Sequence, residues 1–433
     1  MKKIMIVLVA MMAAFAQADT DVYFTNNSDQ PLTVDVFHWG SDRLVEGDEW
    51  FQHVDTIAPY ETKMVLSFNR YVGVKWGDDY YFETRLTSPQ GLQYRLNQKM
   101  TGTWWSSNLA HGVQAHDLSP RWFSDRTIHR FDTGFDQNQL AELATKADFT
   151  VRYDDLYYTL SPETQAPVAE GLSVMTYNIW ALPLVASHID DRLDLLPQYM
   201  KGYDVVMLQE VFAPGRDAFL AELAREYPYQ TRMLDNNSVN IFDGGVTIVS
   251  RYPIVNQAQL VFPDCSGTDC FADKGINYAE VVKNGESYHL FATHAASFDT
   301  DEARRLRQEQ FQMMRKFARD QGIPQNEMVI YGGDFNVNKL KFATSDYPAM
   351  LANLNASEPG YAGYTASTFD PRINSFAAEY DVVEYLDYIL VSNEYDQSQS
   401  NINEVTVPRS TDARLWEHWD LSDHFPVSVD LQK

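Results

Sequence analysis

Seven short apolar runs of β-forming residues organise the second half of the chain: Leu172 to Met175, Val205 to Leu208, Val246 to Val249, Leu290 to Ala292, Met328 to Tyr331, Tyr388 to Val391 and Val427 to Leu431. Helical stretches alternate with them. The clearest is Asp301 to Gln321, where Leu306, Phe311, Met314 and Phe317 share one stripe and Arg304, Arg305 and Arg315 take the side facing water. Runs and helices in this alternation predict a layered α/β domain over 171–433.

Six polar clusters sit just after or inside these runs: Thr176-Tyr177-Asn178, Gln209-Glu210, Thr293-His294, Gly333-Asp334-Phe335-Asn336, Leu386-Asp387-Tyr388 and Ser422-Asp423-His424. Taken singly, an Asn after a strand is a turn residue, an acid is a helix cap and a His is structural. Taken together they place carboxylates, amides and imidazoles at the C-terminal ends of buried strands, where α/β folds build active sites.

The chemistry that uses such a set is metal-assisted phosphoester hydrolysis. A hard cation such as Mg²⁺ takes carboxylate and amide oxygens, which Glu210 and Asn178 offer. The attacking water needs a base that is neutral near physiological pH, which suits His424, with Asp387 or Asp423 to orient an imidazole. Asp334 and Asn336, two apart, would point to one side of an extended segment, as an acceptor for the water and a donor to a phosphoryl oxygen. No Gly-x-Ser-x-Gly elbow, Walker loop or His-Glu-x-x-His helix is present, which argues against serine hydrolases, nucleotide triphosphatases and zincins.

Acids outnumber bases 60 to 34, a formal charge of −26, so the surface offers no broad attraction for a nucleic-acid backbone or an anionic bilayer. The chain begins Met1-Lys2-Lys3, continues with an apolar run from Ile4 to Phe15 and reaches Ala16-Gln17-Ala18, the pattern of a secretory signal peptide (1–18) cleaved after Ala18. Export, extracellular or periplasmic, is the expectation. The two cysteines, Cys265 and Cys270, then form a local disulfide; a zinc site would need further soft ligands nearby.

Over 19–161 short β-type runs alternate with turn residues. They include Asp21 to Thr25, Leu32 to Phe37, Met64 to Phe68, Tyr80 to Leu86 and Phe149 to Tyr153, with one helix expected at Gln137 to Lys146. This predicts a mostly β, sandwich-like domain. The polar, proline-bearing stretch 162–170 reads as a linker.

Thr176-Tyr177-Asn178, Leu208-Gln209-Glu210-Val211, Thr293-His294, Gly332 to Lys339, Tyr385-Leu386-Asp387-Tyr388 and Ser422-Asp423-His424 resemble the signature of the endonuclease/exonuclease/phosphatase (DNase I-like) superfamily. Gly333 to Lys339, Leu354-Asn355-Ala356-Ser357 followed by Tyr364-Thr365-Ala366-Ser367, and Asp273-Lys274-Gly275 resemble the bacterial neutral sphingomyelinases, or sphingomyelinase C. The resemblance implies a four-layer α/β/β/α catalytic sandwich over 171–433. It implies a secreted, Mg²⁺-dependent phospholipase C-type reaction, with Mn²⁺ or Co²⁺ as substitutes, that splits membrane sphingomyelin into ceramide and phosphocholine and can lyse red cells. By the same resemblance Glu210 is the main metal ligand with Asn178 close by, and His424 is the general base. Asp334 holds the water or a second ion, Asn336 and His294 bind phosphoryl oxygens with His294 oriented by Asp387, and Asp423 completes the surroundings of the metal or of His424.

Family members that damage membranes carry a long aromatic hairpin before the final Ser-Asp-His, whereas Asn393 to Asp420 is polar apart from Leu415, Trp416 and Trp419. The hairpin reads as shortened. Trp416 and Trp419, and with them Trp104 and Trp105, are candidates for contact with a zwitterionic bilayer, set against ordinary core packing. The competing functions are a secreted nuclease or another lipid or phosphoinositide phosphoesterase of the superfamily, and a surface-binding toxin with an inactive catalytic domain. The acidity disfavours nucleic acid as a partner, and no protein partner is evident.

Overall fold

The structure, a computed structural model, describes residues 19–432 except 29, 90, 92, 116–119, 126–128, 137–138, 149–154, 163–169, 236–240, 364, 411 and 416–417. The signal segment, the Phe149 to Tyr153 run, most of the linker and Trp416 therefore lie outside the described residues. The chain divides into two compact units, Met1–Glu163 with Thr411–Ala413, and Thr164–Ser410 with Arg414–Lys433. No described helix is long and apolar enough to cross a membrane.

The first unit is a sandwich of two six-stranded sheets. In one sheet Asp19–Asn26 lies between Asp155–Pro162, which it pairs in parallel, and Thr62–Asn69, which it pairs antiparallel. The other is built around Leu32–Gly40, Asp79–Thr87, Gln93–Gly102 and Ser107–Ala115, all antiparallel. Val22, Phe24, Leu66, Phe68 and Leu156 from the first sheet and Leu32, Val34, Phe82 and Leu96 from the second form one core cluster. Period-2 patterning along Leu32–Gly40 turns alternate residues inward, as a half-buried strand requires.

The helix expected at Gln137 to Lys146 is a strand, Gln139–Asp148, hydrogen-bonded antiparallel to His129–Asp136 on one side and Asp155–Pro162 on the other. Its residues are good helix formers. A helix this short is marginal alone, however, and two neighbouring strands offer every backbone group a partner.

The second unit stacks two sheets. The seven-stranded sheet runs Tyr229–Gln230, Thr247–Ser250, Val205–Gln209, Leu172–Asn178, Val427–Leu431, Ile402–Val405, Gly360–Gly363; the five-stranded one runs Ile254–Val261, Gly275–Lys283, Glu286–His294, Met328–Asp334, Asp387–Val391. Leu193 and Leu196 of helix Ile189–Tyr199 and Phe219 of helix Arg216–Leu223 pack on Met175, Val206 and Leu208 of the first sheet. Phe317 and Phe311 of helix Asp301–Asp320 pack edge-on or tilted against Phe291 and Phe335 beside the second. Between the sheets a Cβ on Gly332 would fall 2.0 Å from Met207 Cε, so the inner faces are in close contact. The result is the four-layer α/β/β/α sandwich. Arg304 and Arg315, read from sequence as facing water, instead clamp Asp346 and Glu394 with paired hydrogen bonds of 2.7–3.2 Å.

Candidate active site

Four strand ends converge. Leu172–Asn178 is parallel to Val205–Gln209, which brings Asn178 beside Gln209 and Glu210; Glu286–His294 is parallel to Met328–Asp334, which brings His294 opposite Asp334. Asp387 and the Asp423-His424 pair are not at C-terminal strand ends as expected. Asp387 opens a strand that runs antiparallel to Met328–Asp334, and Asp423-His424 precedes Val427–Leu431, which runs antiparallel to Leu172–Asn178. An antiparallel neighbour presents its N-terminal end where a parallel one presents its C-terminal end, so all six clusters meet at one edge.

The backbone at this edge is held in unusual conformations. Gly333 has φ 142°, and a Cβ there would lie 1.9 Å from the Thr293 carbonyl, so only glycine lets Asp334 reach the edge. Glu210 has φ 59° and Asn336 φ 53°. Hydrogen bonds from Ile179 N to Gln209 O (3.1 Å) and Ala181 N to Glu210 O (3.1 Å) hold the first; such left-handed residues cluster where function demands them. Asn336 does not extend the strand as expected. Its N–H donates to Asp334 Oδ1 (2.9 Å) and its Nδ2 to Ala295 O (3.2 Å), which closes a turn at the end of the strand.

Asn178 Nδ2 donates to Glu210 Oε1 (3.0 Å) and to Asp334 Oδ2 (3.1 Å), while its Oδ1 accepts from Trp180 N (3.0 Å). The amide is thus a strut between two buried carboxylates. Glu210 Oε2 is buried with no hydrogen-bond partner among the described residues. Burial, and then the charge of Asp423, pushes Glu210 up to about 7. Two acids forced together with an orphaned oxygen make a place that a hard, oxygen-seeking cation would fill.

His424 Nδ1 lies 2.9 Å from Asp387 Oδ2, and its Nε2 lies 3.9 Å from Asp334 Oδ2. Burial alone would lower this imidazole, but Asp387, Asp334 and Asp423 together raise it well above its ordinary value. Asp387 therefore orients His424, not His294 as the family resemblance implied. The antiparallel register sets Asp387 opposite Asp334, from where its Oδ2 reaches His424 Nδ1. His294 Nε2 sits 3.5 Å from Asp334 Oδ2, and burial, followed by the Lys274 ammonium, lowers it to about 4. Asp334 is held low by His424, His294 and Lys274 against the opposing effect of its burial.

Sequence reasoning missed three supports. Arg192 is fully buried and donates to the carbonyls of Ser187, Ile179, Trp180 and Leu421 (2.7–3.0 Å), its charge facing Asp423. Its place on the apolar stripe of its helix, beside Leu193 and Leu196, was the signal. Lys274, quoted only as a family step, donates to Ala295 O and Ser297 Oγ (2.8 Å each) and pairs with Asp269 (3.2 Å) inside the loop closed by the Cys265–Cys270 disulfide. Asn374 Nδ2 donates to the carbonyls of Ser422 (2.9 Å) and Asp423 (3.0 Å) and had no sequence signal.

The tryptophans separate. Trp104 and Trp105 are 73% and 82% exposed at the turn between Gln93–Gly102 and Ser107–Ala115, which excludes core packing. Trp76, also 73% exposed, is carried by the adjacent loop, tied on by Gly77 N to Gly102 O (3.0 Å) and Gly102 N to Asp78 O (2.8 Å). Trp419 is half-buried, and Leu415 is buried in the catalytic core. Among the described residues, 393–420 hold one strand, Ile402–Val405, and one 3₁₀ turn, Ala413–Leu415, and no protruding hairpin.

This fold and this site define a metal-dependent phosphodiesterase. The chain belongs to the Endonuclease/Exonuclease/phosphatase family, which it matches over residues 175–424. It is 37% identical over 267 residues to the phospholipase C of Staphylococcus aureus, covering 55% of this chain and 79% of that protein. It is 32% identical over 312 residues to a sphingomyelinase C of Bacillus cereus, covering 63% and 92%. In three dimensions it is similar to a Staphylococcus aureus beta toxin variant with bound magnesium ions, with a TM-score of 0.56 and 34% identity over 61% of this chain and 100% of that one. A sphingomyelinase C from Streptomyces griseocarneus gives a TM-score of 0.56 at 30% identity, over 60% and 99%.

Proposed function

We propose that this chain hydrolyses sphingomyelin to ceramide and phosphocholine in a Mg²⁺-dependent phospholipase C-type reaction. The observation that carries the reading is the set of buried Asn178, Asp334, Asp387, Asp423 and His424 around a half-buried Glu210 whose buried Oε2 has no partner among the described residues, in a chain similar to proteins named sphingomyelinase C. The all-oxygen donors fit Mg²⁺, which Glu210 would hold with Asp423 beside it and which would neutralise phosphate charge. Asp387 fixes the His424 ring with its Nδ1–H donated, leaving Nε2 to take a proton from the attacking water. Asp334 is the acceptor facing both imidazoles. Asn336 and His294 are donors for phosphoryl oxygens. The test is release of phosphocholine from sphingomyelin vesicles with Mg²⁺, set beside plasmid cleavage under the same conditions; DNA cleavage without lipid turnover would overturn the reading in favour of a nuclease.

We further infer that the protein is exported, with cleavage after Ala18, and that Trp104, Trp105 and Trp76 seat it on a zwitterionic bilayer. The overall acidity gives anionic lipid no hold, whereas exposed indoles favour the head-group layer of any bilayer. N-terminal sequencing of the secreted protein tests the cleavage.

A further inference from the structure

We propose that the cavity beside Asn336 is a subsite for a quaternary ammonium head group, so that this chain reads the charged end of a choline phosphodiester as well as its phosphate. The inference rests on the phosphodiesterase reading above. The cavity, of about 280 Å³, is lined by Asn336, Phe298, Phe369, Tyr380, Asp381 and Glu384. It adjoins the site directly, since the Phe369 ring is 5.5 Å from that of His424. Phe369 and Tyr380 meet edge to face at 5.2 Å, and Phe298 and Tyr380 are 50% and 60% exposed.

The carboxylates differ in how they are paired. Asp299, also on the wall, is neutralised by Lys341 Nζ at 2.7 Å. The Glu384 carboxylate accepts an amide hydrogen bond from Asn338 Nδ2 at 3.1 Å, and neither it nor Asp381 has an ammonium or guanidinium partner among the described residues. The wall therefore combines three aromatic rings with two carboxylates that no cation neutralises among the described residues.

A divalent metal gains nothing from three phenyl-type rings, and a small, strongly hydrated ammonium would forfeit its water against them. A methylated cation is bulky and weakly hydrated, and it is bound by aromatic faces with diffuse negative charge nearby. The backbone supports such a role. Phe298 has φ 69°, an uncommon conformation for an aromatic residue, and is held there by Arg307, which donates to the carbonyls of Phe298 and Ala296.

The test uses two soluble phosphodiesters with the same leaving group, p-nitrophenylphosphocholine and ethyl p-nitrophenyl phosphate. Tyr380→Ala and Glu384→Gln should each lower kcat/KM for the choline ester about tenfold, through KM, and leave the ethyl ester within about twofold; Tyr380→Phe, which keeps the ring, should keep the preference. Tetramethylammonium should inhibit the wild type competitively and the variants about tenfold less. Equal losses on both esters, or none on the choline ester, would overturn the subsite. So would a Glu384→Gln enzyme that needs more Mg²⁺ but keeps its head-group preference. A wild type that turns over both esters alike overturns the choline reading of the substrate and the subsite together, whereas a preference that survives in the variants overturns the subsite alone.

Discussion

Asp387 Oδ2 and His424 Nδ1, 37 residues apart in sequence, lie 2.9 Å apart at the edge where the two sheets of the second unit meet. The pair occupies Nδ1 and leaves Nε2 directed toward Asp334, and Asp387 in turn is held by Thr368, whose hydroxyl accepts from Leu386 N (2.9 Å) and Asp387 N (3.3 Å). His424→Ala should lower kcat by about 10² to 10⁴ with KM little changed. Asp387→Asn keeps the shape and removes the charge that raises His424. Since the base must be neutral, the acidic limb of the wild-type profile lies above the ordinary histidine value and should move to lower pH in Asp387→Asn, with a reduced plateau. A pH–rate profile showing an unmoved limb would assign the base elsewhere.

Glu210→Gln removes the orphaned, charged oxygen while preserving side-chain shape. Excess EDTA should abolish wild-type turnover, and Mg²⁺ should raise the melting temperature of the wild type, because a ligand that binds only the folded state stabilises it. The variant should lose both responses, by about 10²-fold or more in kcat at moderate Mg²⁺. Thermal scans with and without Mg²⁺ check this independently of activity.

Trp104→Ala with Trp105→Ala should weaken binding to sphingomyelin and phosphatidylcholine vesicles by about tenfold or more, equivalent to about 1.4 kcal/mol per decade, while hydrolysis of p-nitrophenylphosphocholine is spared. Because both indoles are exposed, the melting temperature should hold. Co-sedimentation with vesicles in EDTA measures binding without turnover. Adding Trp76→Ala should deepen the loss.

Glu394 accepts from Arg315 and Arg319 on helix Asp301–Asp320, and the hydrogen bond from Arg319, the larger influence, helps bring it down to about 2. A depressed carboxyl stabilises the fold above its unfolded value near 4.5 and loses that contribution as pH falls through about 2. Glu394→Gln should therefore lower the melting temperature at neutral pH by about 1–3 °C, the scale of a partly exposed ion pair, and make no difference near pH 2. Calorimetry at the two pH values decides it.

What the sequence determined by itself was the local part. Apolar runs and their polar ends at Asn178, Glu210, His294, Asp334, Asp387 and His424 were legible because burial and strand propensity act within a few residues, and the pairing of Cys265 with Cys270 because they stand five positions apart. Tertiary structure decided what depends on neighbours distant in the chain. Gln139–Asp148 became a strand because two flanking strands satisfy its backbone on both sides. Asp387 went to His424 because an antiparallel register, invisible to local patterning, brings the N-terminal end of its strand to the site. Asn178 became a strut, and Asn336 a turn, because the carboxylate at Asp334 accepts from both. Arg192 could be buried beside Asp423 only because four carbonyls from three separate segments close around it, a coincidence of position that no spacing along the chain encodes.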